Sequence, residues 1–163
     1  MKKIGLLSDT HAYWDNKYIQ YFEECDEIWH AGDIGSEEVL EKLKKIKPVR
    51  AVYGNIDSHE LRMICPEKLR FTIEGVHILM THIGGYPGKY SPGILKDIYA
   101  DTPQLFVCGH SHILKIMYDK RFQMLCVNPG AAGKYGFHQV RTLLRFAIDG
   151  TDIKNMEIIE LNQ

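Results

Sequence analysis

The chain has 163 residues, 45% of them hydrophobic and 25% charged, with a net charge of −1; it can bury a proper core and has the composition of an ordinary soluble domain. The balanced charge gives no reason to expect a nucleic-acid or membrane footprint, although a local basic patch stays open. No stretch approaches the roughly 20 apolar residues of a membrane span, and charge enters too early for a secretory leader, so the expected location is cytoplasmic.

Ile4 to Leu7 reads as a short buried strand running into Ser8-Asp9-Thr10-His11. In extended backbone, residues two apart share a face. Asp9 and His11 are therefore expected to reach one point beyond the strand's carboxyl end, where open α/β sheets place ligands. On its own the tripeptide reads rather as a capping Asp beside a surface His. Asp15 then caps a helix from about Asn16 to Glu24, with Tyr18, Ile19 and Phe22 on one face. Glu27 to His30 is a second strand, ending in Ala31-Gly32-Asp33. Ser36 caps a helix whose apolar stripe is Val39, Leu40 and Leu43, and Pro48 stops it. Val49 to Tyr53 is a third strand, leading into Gly54-Asn55-Ile56-Asp57. This alternation predicts a partly parallel sheet covered by helices.

From Leu69 the pattern changes. Arg70 to Ile73 and Val76 to Thr81 flank Glu74-Gly75 as a hairpin, and the second strand ends at His82. A glycine- and proline-rich loop follows, with a short helix near Ile94 to Tyr99. Leu105 to Cys108 leads into Gly109-His110-Ser111-His112. Ile113 to Tyr118, Gln123 to Val127, Thr142 to Ile148 and Ile153 to Leu161 are further strands, mostly in hairpins. So many strands with few helices predict a second sheet packed on the first. The expected fold is α/β (α+β-like), two packed mixed sheets flanked by helices, in a single domain spanning residues 1–163. Cys25, Cys65, Cys108 and Cys126 are scattered and read as free core thiols.

Asp9 with His11, Asp33, Asn55, His82, and His110 with His112 all sit at or just past a strand end, usually beside glycine. A lone histidine on an apolar strand is more often a satisfied core residue, but so many strand ends behaving alike point to a metal centre. In order, Asp9-x-His11, Gly32-Asp33, Gly54-Asn55-x-Asp57, His82 and Gly109-His110-x-His112 resemble the motifs of the calcineurin-like metallophosphoesterase superfamily, in particular its small capless bacterial and archaeal phosphodiesterases. Asn128-Pro129-Gly130 resembles a further family element.

The resemblance implies a four-layer sandwich and two divalent metal ions per chain. Asp9, His11 and His112 would hold one ion and Asn55, His82 and His110 the other, with Asp33 bridging. Mixed carboxylate, imidazole and amide ligands suit Mn first, with Ni, Fe, Zn or Co as alternatives. Two divalent ions, two carboxylates and a bridging hydroxide leave a single positive charge, which favours an anionic phosphoester. Asp33, Asn55 and His110 then act in catalysis around that hydroxide, the nucleophile that attacks phosphorus in line. Ser8 and Asp57 are candidates for orienting ligands, beside plain turn or capping roles, and Asn128 for presenting donors to the phosphate. His30 reads as core or supporting, and His77 as structural.

Two departures from the family pattern matter. Ala131 stands where the family often has Ser, and Ile56 where many members place a His that serves as general acid. His59 is the nearest alternative donor, beside its reading as a solvated residue at a helix start. The expected activity is hydrolysis of a small phosphodiester. A phosphomonoesterase, a nucleotide pyrophosphatase and a non-catalytic scaffold like the related retromer subunit are the alternatives. Tyr86, Tyr90 and Tyr135 are expected to line a substrate mouth or a homo-oligomer contact.

Overall fold

A computed structural model of the chain describes residues 1–161. Two five-stranded sheets pack face to face and carry helices on both outer surfaces. In the first sheet, β1 (Lys2–Leu7), β2 (Glu27–His30) and β3 (Val49–Ala51) run parallel. α1 (Lys17–Phe22) and α2 (Glu37–Ile46) form the crossovers between them. The last four residues of β1 are all buried, because helices cover one face and the second sheet the other. A strand buried on both faces reads as a continuous apolar run rather than an alternation. At α2, the Val39 N–H donates to Ser36 Oγ, while Glu37 and Glu38 open the helix and Lys44 and Lys45 close it, in keeping with its dipole.

α1 is shorter than the spacing predicts. Asp15 accepts from the Lys17 N–H at 2.9 Å and pairs with Arg141, while Asn16 takes the cap position. Tyr18 and Phe22 are buried, whereas Ile19 is exposed, since so short a helix turns only a narrow face inward. α3 (His59–Ile64) follows β3 and sends Leu61 into the same helical layer.

The second sheet has the order β4-β5-β6-β8-β7. β4 (Lys68–Ile73) and β5 (Val76–Thr81) form the expected hairpin, with Glu74 at φ 51° in its turn. After α4 (Pro92–Ala100), β6 (Leu105–Val107) pairs parallel with β5 and with β8 (Met124–Pro129), and β7 (Leu114–Asp119) closes that edge. β9 (Thr142–Asp149) and β10 (Asp152–Glu160) return to the first sheet, where β9 runs antiparallel to β1. The strand-rich second half of the chain is therefore divided between both sheets. A strand's own pattern shows that it pairs, not with which edge.

The inter-sheet core joins Ile4, Leu6, Trp29, Leu144 and Phe146 to Ile78, Met80, Val107 and Val127. Tyr18, Phe22, Leu40, Leu43 and Leu61 cover the outer face of the first sheet, and Ile94 and Ile98 that of the second. The result is the four-layer order helix, sheet, sheet, helix. Among the described residues no helix is long and apolar enough to cross a membrane.

Gly5 on β1 lies against the ring of buried Phe22, and a Cβ at that position would collide with it. Gly5→Ala is expected to cost about 1–3 kcal/mol by overpacking, read as a lowered urea midpoint at unchanged slope. An unchanged midpoint would mean that β1 and α1 are not packed in this way.

Candidate metal centre

The parallel strands of both sheets deliver their following turns to one rim. The turns are not extended: Asp9 (φ 54°), His11 (φ 44°), Asp33 (φ 55°), His110 (φ 73°) and His112 (φ 62°) all occupy the left-handed region. This corrects the alternation argument. Asp9 and His11 do converge, but through a strained turn beyond β1 and not through the two-residue repeat of a strand. Such a conformation costs a non-glycine residue roughly 1–2 kcal/mol, so the surroundings must enforce it. They do so by a backbone ladder in which Asp9, His11 and Ala12 donate to the carbonyls of Gly32, Asp33 and Ile34 at 2.8–3.0 Å. Close approach is secured at Gly54 and Gly109, where a Cβ would strike Asp33 Oδ1 and Ser8 Oγ respectively.

The side chains form two adjoining groups, Asp9 with His11 and His112, and Asp33 with His82 and His110, whose donor atoms lie within 4.8 Å of one another in each group. Asn55 joins the second, its Oδ1 3.1 Å from His110 Nδ1. Asp33 Oδ2 lies between the groups, 3.5 Å from His11 Nε2 and 3.1 Å from His82 Nε2. In each carboxylate one oxygen is spoken for: Asp9 Oδ2 accepts from Ser8 Oγ (2.7 Å) and the His110 N–H (3.1 Å), and Asp33 Oδ1 from the Ile56 N–H (3.0 Å). The other oxygen faces the imidazoles.

Three of the atoms that meet there lack partners. Asp9 Oδ1, His11 Nε2 and His82 Nε2 are buried without a hydrogen bond. His82 shows why. Its Nδ1 lies 2.8 Å from the Ala31 carbonyl, which can only accept, so Nδ1 carries the proton and Nε2 is a bare lone pair. It cannot donate to Asp33 while neutral. Burial disfavours a charged His82 ring, yet Asp33 and Asp9 outweigh it and raise its pKa. Burial likewise opposes ionisation of Asp9, and His11 and His112 outweigh it to hold the carboxyl well below the usual range. A cluster of acceptors that asks for positive charge, with imidazole, carboxylate and amide donors, fits divalent transition metals.

The supporting residues are now placed. Ser8 orients Asp9, as expected of one of its two readings. Asp57 accepts from the N–H groups of Ile34, Gly35 and Gly54 at 2.8–3.1 Å and so ties the Asp33 turn to the Asn55 turn. Asn128 donates to the Gly109 carbonyl and to Ser111 Oγ, which fixes the His110–His112 turn and leaves no amide donor aimed at a phosphate. His77 is exposed and meets Thr72. Tyr90 is removed from the mouth: its hydroxyl donates to Asp119 at 2.6 Å and its ring packs on Phe106 and Phe122. Tyr135 does stand at the mouth, its ring 4.9 Å from that of His11. Ile56 is exposed beside Asn55, and His59 is the exposed first residue of α3.

Two residues at the centre escape the sequence reading. Arg62 donates to the carbonyls of Asn55 and Asp57 and lies over Tyr53, which places a cation beside the second group. His138 lies 3.3 Å from His112, nitrogen to nitrogen. A helical arginine carries no sequence signal. His138 carries a faint one, as the one histidine of the eight to which the sequence reading gives no role.

Residues 1–151 match the family model described as the Calcineurin-like phosphoesterase superfamily domain. A probable metallophosphoesterase of Methanocaldococcus jannaschii is 32% identical over 138 residues, 78% of this chain and 67% of that protein. Among solved structures, an archaeal phosphodiesterase superposes with a TM-score of 0.77 at 23% identity, covering 98% of this chain and 99% of that one. Vps29 of Chaetomium thermophilum superposes with a TM-score of 0.78 at 14% identity, covering 99% and 97%.

His30 underlies the whole centre. It accepts the Gly32 N–H at Nδ1, and its Nε2 meets Thr10 Oγ1 at 3.0 Å, so the ring is neutral with the proton on Nε2. Burial pushes its pKa down from 6.5 to about 4. The unfolded chain binds a proton over that interval which the folded chain refuses, so folding stability falls as the pH is lowered from about 6.5 to about 4. His30→Gln is expected to flatten that part of the stability profile, measured by urea unfolding at successive pH values. Equal slopes for both proteins would contradict a neutral buried His30.

Proposed function

The chain belongs to the calcineurin-like phosphoesterase superfamily, which is metal-dependent, and on that premise we propose that it hydrolyses phosphodiesters at a two-metal centre. The observation that carries this reading is the buried meeting of Asp9 Oδ1, His11 Nε2 and His82 Nε2, none of which has a hydrogen-bond partner, between two candidate ligand groups. Asp9, His11 and His112 would hold one ion and Asn55, His82 and His110 the other, with Asp33 placed to serve both. Mn is the metal expected first, and Ni, Fe, Zn or Co satisfy the same donors. When bound, such a pair supplies Lewis-acid polarisation of the phosphoryl group and a nucleophile at neutral pH.

What the chain's own residues contribute is position and charge. Asp9 and Asp33 would offset half of the charge of two divalent ions; with a bridging hydroxide, and with the amide of Asn55 in place of a third carboxylate, a single positive charge would remain, which suits a monoanionic diester. Room for two ester groups exists on opposite flanks. A cavity of about 800 Å³ beside His110 and His112 is walled by Ile113, Tyr135 and Phe137, and one of about 310 Å³ beside Asn55 and His82 is walled by Tyr53, Arg62 and Lys68. Ile56 cannot give a proton to the leaving group, and His59 borders neither cavity. The scaffold reading has less support, because every position expected to bind metal keeps a ligating side chain.

After Mn reconstitution, an activated aryl diester is expected to show the higher kcat/KM against the matching monoester; the reverse order would overturn the diester assignment. Asp33→Ala should lower metal content and rate more than any other single ligand change, and near-normal values for both would remove Asp33 from the bridging role. Positioned acid catalysis is worth about 10²–10⁴-fold, so without it the chemical step should slow steeply as the leaving group worsens. A flat dependence would mean that an efficient acid is present.

A further inference from the structure

The glycine-rich loop between β8 and β9 folds over the first ligand group and brings His138 against His112. His138 Nε2 lies 2.7 Å from the Gly133 carbonyl. A carbonyl only accepts, so Nε2 carries the proton and Nδ1 of the neutral ring is a bare acceptor. That acceptor faces His112 Nδ1 at 3.3 Å. For the contact to be favourable, the proton must sit on His112 Nδ1. His112 Nε2 is then the unprotonated nitrogen, and it is the one that points at Asp9 Oδ1, 3.2 Å away. The two rings meet edge to face, with centroids 5.1 Å apart. The backbone makes room for them at Gly136, whose φ of +129° few other residues adopt and where a Cβ would strike both rings.

Metal-binding histidines generally need a partner on their second nitrogen to fix tautomer and ring orientation. His82 uses the Ala31 carbonyl. We propose that His138 is the corresponding positioning residue for His112, relaying the Gly133 carbonyl through two imidazoles so that His112 presents Nε2 to the metal beside Asp9. This rests on the two-metal reading. A backbone carbonyl thereby decides the tautomer of a ligand across one intervening ring, and the loop carrying Tyr135 and Phe137 is mechanically joined to the first ligand group.

The test uses Zn as a diamagnetic probe and reads the protein by long-range 1H–15N NMR of the imidazoles. In the Zn-loaded wild type, His138 should show a protonated Nε2 and an unprotonated Nδ1, and His112 a protonated Nδ1. His138 protonated on Nδ1 would overturn the proposal, with no mutant needed. In Zn titration against a chelator, His138→Phe should weaken one of the two sites by about 10–100-fold, the usual effect of losing such a partner. His138→Gln, whose amide can both donate to Gly133 and accept from His112, should recover most of that loss. Unchanged affinity in His138→Phe, or equal losses in both variants, would contradict the relay. A wild type that binds two ions while His138→Phe matches it sinks the relay alone; a wild type that never binds a second ion sinks the two-metal reading and the relay with it.

Discussion

The structure is organised by a concentration of lone pairs. Asp9 Oδ1, His11 Nε2 and His82 Nε2 meet beside Asp33 Oδ2, and those three atoms are buried without a hydrogen-bond partner. Left as neutral or anionic acceptors they repel, and desolvation removes the water that would otherwise separate them. A bound cation, or a proton taken up by an imidazole, resolves the conflict, and the chain accepts considerable strain to keep the cluster in place. The ligand turns lie in the left-handed region, the ladder from Asp9 to Ala12 holds the first turn to the second, and the Asp57 carboxylate clamps the second to the third. Packing supplies the stability that this strain draws upon, chiefly the inter-sheet core beneath the rim.

Much of this was legible in the residues, and the reasons differ from element to element. β1, α2 and the β4–β5 hairpin are local: an apolar run, a Ser36 cap with a regular stripe, and a Glu74-Gly75 turn each specify themselves. The return of β9 and β10 to the first sheet was not legible, since pairing across more than a hundred residues leaves no trace in a strand's own alternation. Asp9, Asp33, His82, His110 and His112 are legible because metal-capable residues follow strand ends, although Asp9 and His11 converge through a left-handed turn and not through strand alternation. Arg62 and His138 act from a helix face and a loop, where no periodicity marks them. Tyr90 looked like a mouth residue because an aromatic between glycines and prolines reads as surface, whereas Asp119 and Cys126 draw its hydroxyl inward.

The same geometry separates function from fold. Vps29 of Chaetomium thermophilum shares the architecture at 14% identity, so the four layers alone say nothing of chemistry. Chemistry has to be argued from this chain's own donor set and its supports: one oxygen of each carboxylate tied down, the other presented, and the tautomer of His82 fixed from the backbone. The departures at Ile56 and Ala131 lie outside that set. On the proposed reading they bear on how the leaving group departs and how the phosphate is held, not on whether ions bind.

The central claim is that the lone-pair cluster is a two-ion centre shared through Asp33. Anomalous diffraction from crystals equilibrated with Mn tests it most directly. Two peaks about 3.5–4 Å apart are predicted, one among Asp9, His11 and His112 and the other among Asn55, His82 and His110, both within bonding distance of Asp33 Oδ2. A single peak under saturating Mn, or ions lying away from these side chains, would contradict the account.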